Sequence, residues 1–340
     1  MEPFIVDVHK WTDTNYEIGR KQLQSITDKS SYLVFLNSLT SSEVDWEEGT
    51  SLLENFAPHL IEEIKGLGDQ LNLSYQEAFR YFSGYDLPKL GALGCSSIVT
   101  TEMLIRNYDF SPDVYDYKFA VKNSENAYST CGYTVHCTGL HEGVNEHGLA
   151  IALHFVNNHN QQKGFMSTMI TRMVLDTCKN LEEAVDLLKA LPHAACYNYS
   201  LGDTNGNIAI IEGSPERVVI RRGQQAVTCT NHFLEMNEYN RKIETSTHKR
   251  KSVLEESLHS QDDLFDIFTT PGKGLFYQDY KDFFGTLHTF SYDFNLRRVK
   301  TKVAQGDETL EFSLDRLTND EPLPLSKLKG YIEEREGAKE

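Results

Sequence analysis

The order of predicted elements favours an α+β fold, a four-layer αββα sandwich in which helices cover the outer faces of two antiparallel sheets. Three observations point to this class. The first 90 or so residues are mainly helical in pattern, and strand patterns begin at Cys95. A second helical block, at 167–191, is followed by another group of strands. This alternation of helical and strand blocks predicts two sheets with helices outside both.

Helical patterns dominate the N-terminal segment. Thr14 and Asn15 stand as capping residues ahead of the apolar positions of a first helix. The stretch 46–66 places its apolar residues at helical spacing, and 75–79 begins a further helix. We therefore expect 1–94 to be mainly helical.

Strand patterns follow, and 101–103 is a turn that pairs the first two strands as a hairpin. The predicted strands before the second helical block are 95–100, 104–110, 117–122, 129–138 and 149–153, with a further one around Val144. After that block come strands at 196–202, 207–213 and 216–222, a helical stretch at 247–268, and two strands within 285–303. The sequence thus predicts one integrated domain: the helical segment 1–94, a catalytic core 95–317, and a polar, weakly ordered tail 318–340.

Composition excludes several functions. The net charge of −17 argues against nucleic acid and anionic membrane as partners. The chain has no apolar run long enough to span a bilayer and does not begin as a signal peptide, so we expect a cytoplasmic protein. Its six cysteines form no CxxC pair and no zinc-type spacing, which predicts neither a metal site nor disulfides. Nothing in the pattern indicates an oligomeric state.

The stretch around Cys95 carries the clearest chemical signal. Gly94-Cys95-Ser96-Ser97 opens an apolar strand, and Arg106 and Asp109 lie on the strand that returns beside it. A reactive thiol needs a cation that stabilises the thiolate and a carboxylate that orients a base. Residues three apart on a flat strand point to opposite faces, so both side chains reach the thiol only if this strand twists, bulges or ends there.

Several motifs in the same order resemble the N-terminal nucleophile (Ntn) hydrolases that cleave linear amides, a superfamily that includes choloylglycine hydrolase and penicillin V acylase. The resemblance is closest to the acyl-CoA:6-aminopenicillanate acyltransferase group, whose cysteine is internal in the precursor. The resemblance covers about residues 12 to 305. Besides the cysteine motif, the segments that carry it are 16–19, 143–150 (Gly-Val-Asn-Glu-His-Gly-Leu-Ala), 198–212, 228–233 and 247–250.

This resemblance implies the Ntn hydrolase sandwich and an inactive precursor. Cys95 would attack the carbonyl of Gly94, cleave the chain before itself, and use its new α-amine as general base. The acyl group of a small N-acyl amide would then pass through a thioester on Cys95 to water or an amine, without a cofactor or a metal. The family pattern places Arg106 near the thiolate and Asp109 beside the amine. It makes Asn231 the oxyanion donor and Arg250 a neighbour of the cysteine at a helix start, although flanking lysines also allow a solvated basic stretch there.

Two other functions remain open. The chain could be an unprocessed, catalytically idle relative that binds a ligand in the same cleft. It could also be a cysteine hydrolase without self-cleavage that uses His232 or His154 as base. His154 departs from the bile-salt hydrolase pattern, where an asparagine adds a second oxyanion contact. Four aromatic residues are candidates for an acyl pocket, with core packing as the favoured alternative: Tyr115, Tyr117, Phe276 and Tyr277.

Overall fold

Two stacked β-sheets form the centre of the protein and helices cover both outer faces, which confirms the predicted αββα sandwich. The computed structural model describes residues 1–41, 43–86, 94–158, 160–240, 245–280 and 284–333. A nine-stranded sheet has the order β10-β9-β8-β7-β6-β5-β4-β1-β16, and a seven-stranded sheet has the order β11-β2-β3-β13-β14-β15, with β12 paired to β13. Within the described ranges, no helix is long and apolar enough to cross a membrane.

The strands are β1 Glu2–Asp13, β2 Gly94–Thr100, β3 Met103–Phe110, β4 Lys118–Ser124, β5 Thr130–Val135, β6 Gly139–Asn145, β7 Ala150–Phe155, β8 Tyr197–Gly202, β9 Ile208–Gly213, β10 Val218–Gly223, β11 Ala226–Cys229, β12 Gln278–Asp279, β13 Phe284–Asp293, β14 Arg298–Val303, β15 Leu310–Ser313 and β16 Lys327–Ile332. The helices are α1 Asn15–Gln22, α2 Lys29–Leu39, α3 Trp46–Phe56, α4 His59–Leu71, α5 Tyr75–Phe82, α6 Ser167–Thr177, α7 Leu181–Ala190, α8 Thr245–Ser257 and α9 Leu264–Thr269.

Three apolar cores separate the four layers. One lies between the sheets and contains Cys95, Val99 and Phe290. The largest lies between the nine-stranded sheet and the helices α2–α7. The third lies between the seven-stranded sheet and α8 and α9, and includes Ile98 and Leu254. Because side chains alternate along a strand, β2 contributes Cys95 and Val99 to the inner core and Ile98 to the outer one.

Two elements correct the sequence prediction. The chain begins with a strand rather than a helix: β1 pairs in parallel with β4 and antiparallel with β16. The segment expected as a weakly ordered tail contains β16, so that expectation is wrong for 327–332. Both strands bury every second residue, Phe4 and Val6 in β1 and Leu328 in β16, against the inner core. The β1–β4 pair also makes the sheet mixed rather than wholly antiparallel.

The helices and hairpins otherwise follow the predicted order. The stretch 46–66 is divided into α3 and α4 at Ala57-Pro58, because proline cannot continue the hydrogen bonding of a helix.

The hairpin predicted around residues 101–103 is present as the antiparallel pair β2–β3, in which Cys95 lies directly opposite Tyr108. The proposed division at Gly94–Cys95 stays a prediction. Helices from before that bond pack into the same core as α6 and α7 from after it.

An irregularity in the nine-stranded sheet prepares the site. Along β5 and β6 the pairing passes from Gly132–Gly143 to Thr134–Leu140, so the two residues His141 and Glu142 oppose the single residue Tyr133. This is a β-bulge, a feature that re-aims side chains next to functional sites. The pairing of β6 with β7 also ends at Glu142–Ala152. Beyond that point the two strands separate.

Candidate active site

Cys95 lies near the start of β2, with its side chain between the two sheets. The residue is fully buried. Three of the predicted site residues hold its three polar groups. Arg106 donates from Nη2 to the sulfur Sγ at 3.1 Å. The Cys95 N–H donates to Asn231 Oδ1 at 2.9 Å, and Arg250 donates to the Cys95 carbonyl.

Asn231 and Arg250 form one unit behind the cysteine. Arg250 donates from Nη2 to Asn231 Oδ1 at 2.7 Å and from Nη1 to Ser96 Oγ at 3.1 Å. Asn231 donates from Nδ2 to the carbonyl of Phe155 at 2.8 Å, which fixes the amide across the gap between the sheets. Arg250 is only 2% exposed, so a solvated basic stretch does not describe it. It also lies within α8, which begins at Thr245, rather than at a helix start.

Asp109 occupies the opposite face of β3 from Arg106, as the three-residue spacing requires. It is the register partner of Gly94, on the outer side of the hairpin. Thr286 donates to Asp109 Oδ1 at 2.7 Å, while the buried Oδ2 has no hydrogen-bond partner among the described residues. A Cβ built on Gly94 would lie 2.9 Å from the Asp109 Cβ. The carboxylate therefore flanks the Gly94–Cys95 bond, and its charge adds to the effect of burial in raising the pKa of the thiol.

Burial sets the electrostatics of the site. It raises the pKa of the Cys95 thiol above its ordinary value, and the cation Arg106 counteracts part of that rise. Burial also raises the pKa of Asp109, against the lowering effect of Arg250 and Thr286. Both groups are thus biased toward their neutral forms in this chain.

A buried network behind Arg106 was not foreseen from the sequence. Arg106 donates from Nη1 to Glu142, and Glu142 Oε2 lies 3.0 Å from His288 Nε2. Tyr115 Oη lies 2.7 Å from His288 Nδ1. Burial alone would raise the pKa of Glu142, but His288 and Arg106 hold it below its ordinary value. No local motif could have revealed these residues, because three strands from two sheets bring them together.

The two histidines considered as alternative bases contact hydroxyl groups rather than the Cys95 sulfur. His154 Nε2 lies 3.0 Å from Ser97 Oγ and 2.9 Å from Ser200 Oγ. Burial and the cations Arg106 and Arg250 hold the pKa of His154 well below its ordinary value. His232 Nδ1 contacts two threonine hydroxyls, and burial lowers its pKa to about 4. In the described part of the chain, the side chain that donates a hydrogen bond to the sulfur is Arg106.

A narrow pocket opens where β6 and β7 separate. Two carbonyls of this part of β7 accept from the site: Leu153 from Arg106 at 3.3 Å, and Phe155 from Asn231. The pocket is mostly apolar, and its lining residues are Tyr108, Phe110, Val114, Val135, His141, Leu153, Phe155, Met166, Ser167, Thr168 and Tyr197. It adjoins the site through Tyr108, the residue opposite Cys95. The aromatic candidates Tyr115, Tyr117, Phe276 and Tyr277 do not line it, and Tyr115 packs in the inner core instead.

A two-sheet αββα sandwich with a buried internal cysteine is the arrangement expected of the Ntn class of amide hydrolases and acyltransferases. The family model for acyl-coenzyme A:6-aminopenicillanic acid acyl-transferase matches residues 99–308. The chain belongs to this family. This confirms the expected class of enzyme, a linear amide C–N hydrolase or N-acyltransferase. Among curated proteins, no sequence matches the chain significantly.

Three solved structures among those that match the chain are amide hydrolases by name. A mutant of conjugated bile acid hydrolase from Clostridium perfringens is 12% identical, with a TM-score of 0.46, covering 72% of this chain and 98% of its own. Penicillin V acylase from Agrobacterium tumefaciens is 17% identical, with a TM-score of 0.45, covering 67% and 89%. A Caenorhabditis elegans ortholog of N-acylethanolamine-hydrolyzing acid amidase is 13% identical, with a TM-score of 0.43, covering 59% and 94%.

Proposed function

We propose that this protein is a self-processing cysteine amidase or acyltransferase that cleaves a linear N-acyl amide through an acyl-thioester on Cys95. The observation that carries the proposal is the contact between Arg106 Nη2 and the Cys95 sulfur at 3.1 Å. A guanidinium in that position stabilises a thiolate, the form of cysteine that reacts as a nucleophile.

Self-processing comes first. The Cys95 sulfur attacks the carbonyl carbon of Gly94, and the Cys95 nitrogen leaves as an amine that takes up the thiol proton. Water then hydrolyses the thioester, which releases the Gly94 carboxylate and restores the thiol. The unpartnered Oδ2 of Asp109 lies on the strand directly opposite Gly94, where it can accept a hydrogen bond from the new α-amine.

Turnover uses the same atoms. The α-amine removes the thiol proton, and the thiolate attacks the substrate carbonyl. A free α-amine ordinarily has a pKa of about 7.7–8.0 and a thiol about 8.5, so the two groups are close in proton affinity before any effect of the site. Burial raises the pKa of the Cys95 thiol, and the cation Arg106 counteracts part of that rise and so favours the transfer. The leaving amine takes the proton from the α-ammonium. Water or an acceptor amine then attacks the thioester and gives a proton to the α-amine. The α-ammonium passes this proton to the leaving thiolate, which restores the thiol and the free α-amine.

The oxyanion is assigned to the side-chain amide of Asn231. One of its N–H groups holds the Phe155 carbonyl, which fixes the amide plane, and the other is available to a tetrahedral intermediate. Arg250 orients that amide through its contact with Oδ1. The acyl group occupies the apolar pocket between β6 and β7, since Tyr108 and Leu153 connect its lining to the cysteine and to Arg106.

The experiment is a turnover assay with a panel of N-acyl p-nitroanilides, with and without an acceptor amine, for wild type and the Cys95→Ala variant. We expect wild type to release p-nitroaniline and the variant to release none. Rapid acid quenching followed by peptide mapping should find the acyl group on Cys95. Acylated acceptor amine would identify a transferase, and free acid alone a hydrolase.

Two outcomes would overturn the proposal. Turnover that survives Cys95→Ala would remove Cys95 as the nucleophile. A folded wild-type protein that binds N-acyl amides without cleaving any of them would support the idle, ligand-binding alternative.

A further inference from the structure

The bulge in β6 turns two consecutive side chains toward the interior. Ordinary strand alternation would send His141 and Glu142 to opposite faces, but both oppose Tyr133 at the bulge. Both reach residues of the other sheet, His141 the ring of Tyr108 and Glu142 the side chain of Arg106. Glu142 contacts Arg106 and His288. His141 instead lines the pocket between β6 and β7.

His141 is a buried polar group without a hydrogen bond. It is 3% exposed, and neither Nδ1 nor Nε2 has a partner in the described part of the chain. Its ring packs on Tyr108, with 3.9 Å between the ring centroids. Leaving such a group unsatisfied costs about 1–3 kcal/mol, so an unpaired buried imidazole in a native site indicates a missing partner.

The surroundings define what that partner can be. Burial, Arg106 and His288 hold the pKa of His141 well below its ordinary value, so the ring is neutral and offers one N–H donor and one acceptor nitrogen. The residues that line the pocket, as described, include no charged side chain. An uncharged oxygen therefore suits this pocket, whereas a carboxylate or ammonium does not.

We propose that His141 is a specificity-determining residue that hydrogen-bonds an uncharged oxygen, a hydroxyl or carbonyl, carried on the acyl group of the substrate. This inference rests on the proposed function, because it takes the pocket beside Tyr108 as the acyl site. The substrate class is then an N-acyl amide whose acyl chain bears an oxygen beyond its amide carbonyl. A plain aliphatic chain leaves the imidazole unpaired when it displaces water from the pocket.

The test uses matched pairs of N-acyl p-nitroanilides: straight-chain acyl groups, and the same chains with a hydroxyl or keto oxygen at carbon 3, 4 or 5. The measured quantity is the ratio of kcat/KM between the two members of each pair. We expect wild type to favour at least one oxygen-bearing member by about tenfold or more, as one hydrogen bond to a buried group provides. His141→Leu should abolish that ratio, and His141→Gln, which keeps a donor and an acceptor, should restore part of it.

Each result has a separate meaning. Turnover of the plain chains with no preference at any position overturns this inference and leaves the proposed function standing. A preference that is unchanged in His141→Leu also overturns it, because another group must then bind the oxygen. If wild type cleaves no member of any pair, the proposed function and the inference about His141 both fail. Thermal unfolding of each variant confirms that the proteins compared are folded.

Discussion

At the scale of single residues, the site is built around the backbone of Cys95 as much as around its sulfur. Asn231 accepts from its N–H, Arg250 donates to its carbonyl, and Arg106 contacts its sulfur. Fixing all three polar groups of one residue leaves little freedom for the peptide that joins it to Gly94. Such preorganisation suits an attack by the thiol on its own preceding carbonyl.

Replacing Asn231 tests the assignment of the oxyanion donor. Asn231→Asp keeps the size of the side chain and its acceptor toward Arg250, but it removes both N–H groups. We expect kcat to fall about 100- to 1000-fold, corresponding to about 2.7–4 kcal/mol of lost transition-state stabilisation. Steady-state kinetics on an N-acyl p-nitroanilide measure this loss.

Asn237→Asp is the matched control. Asn237 is exposed and also donates from Nδ2 to a backbone carbonyl, that of Leu234, at 2.7 Å. The Asn237→Asp substitution should leave kcat unchanged. A folded Asn231→Asp enzyme with wild-type kcat would show that another group binds the oxyanion.

The sequence predicted part of this site and missed the rest for a physical reason. Cys95, Arg106, Asn231 and Arg250 belong to short motifs, and the structure brings all four together. Glu142 and His288 lie in unremarkable local sequence. They meet Arg106 only because a bulge and a second strand place them there. For Asp109, in contrast, local sequence was sufficient: the alternation of side chains along β3 predicts that it lies on the opposite face of the strand from Arg106, where the structure has it.

At the scale of elements, β2, β3 and β13 are neighbours in one sheet, and side chains from β3 and β13 leave no room for a side chain at Gly94. A Cβ there would lie 2.4 Å from a ring carbon of Phe284 and 2.9 Å from the Asp109 Cβ. This close approach keeps the carboxylate beside the proposed scissile bond. Gly94 is therefore required by packing, independently of any role in cleavage.

Gly94→Ala tests that packing. In a Cys95→Ala background, where no cleavage is expected, we predict a loss of about 1–3 kcal/mol in the free energy of unfolding, because an extra methyl overpacks a buried site. Chemical denaturation measures it. The same substitution should cost less in a Phe284→Ala background, where the ring has been removed. An equal loss in the free energy of unfolding with and without the Phe284 ring would show that the added methyl group does not clash with that ring.

The predicted elements succeed where pairing is local. The β2–β3 hairpin and the helices α5–α7 follow from periodicity over short stretches. β1 and β16 were missed because their pairing joins the two ends of the chain, Phe4 with Gly330 among others. Short alternating segments do not reveal such distant partners.

At the scale of the whole molecule, the segment before Cys95 is bound tightly to the rest. β1 pairs with β4 and β16, and α4 packs on the largest apolar core with residues that include Leu60 and Ile64. Glu63 is fully buried and contacts Arg172 Nη2 at 2.8 Å and Lys122 Nζ at 2.6 Å. After cleavage at Gly94–Cys95, we expect the two fragments to stay associated.

The Glu63 cluster predicts a loss of stability in acid. Burial would raise the pKa of Glu63, but Arg172 and Lys122 lower it from 4.5 to about 2. A carboxylate whose pKa is lower in the folded than in the unfolded protein stabilises the fold at every pH above its unfolded-state pKa. This contribution of about 3 kcal/mol to the free energy of unfolding disappears as the pH falls from 4.5 to 2. Glu63→Gln should be less stable at neutral pH and lose less stability across that interval.

Denaturation at a series of pH values checks this, with Glu62→Gln as the control. Glu62 is the neighbouring residue on α4, but its partner Lys65 is at the surface, so its removal should cost less than about 1 kcal/mol. Parallel pH profiles for wild type and Glu63→Gln would contradict the assignment.

Intact-mass analysis of the purified protein under denaturing conditions tests the central claim most directly. We predict two fragments of about 11 and 28 kDa in place of the 38.8 kDa chain, with Cys95 as the first residue of the larger one. Native mass analysis should find them bound to each other, and Cys95→Ala should remain a single chain. A wild-type protein that stays whole and still cleaves N-acyl amides would contradict the account, because no α-amine on Cys95 would then exist to act as the base.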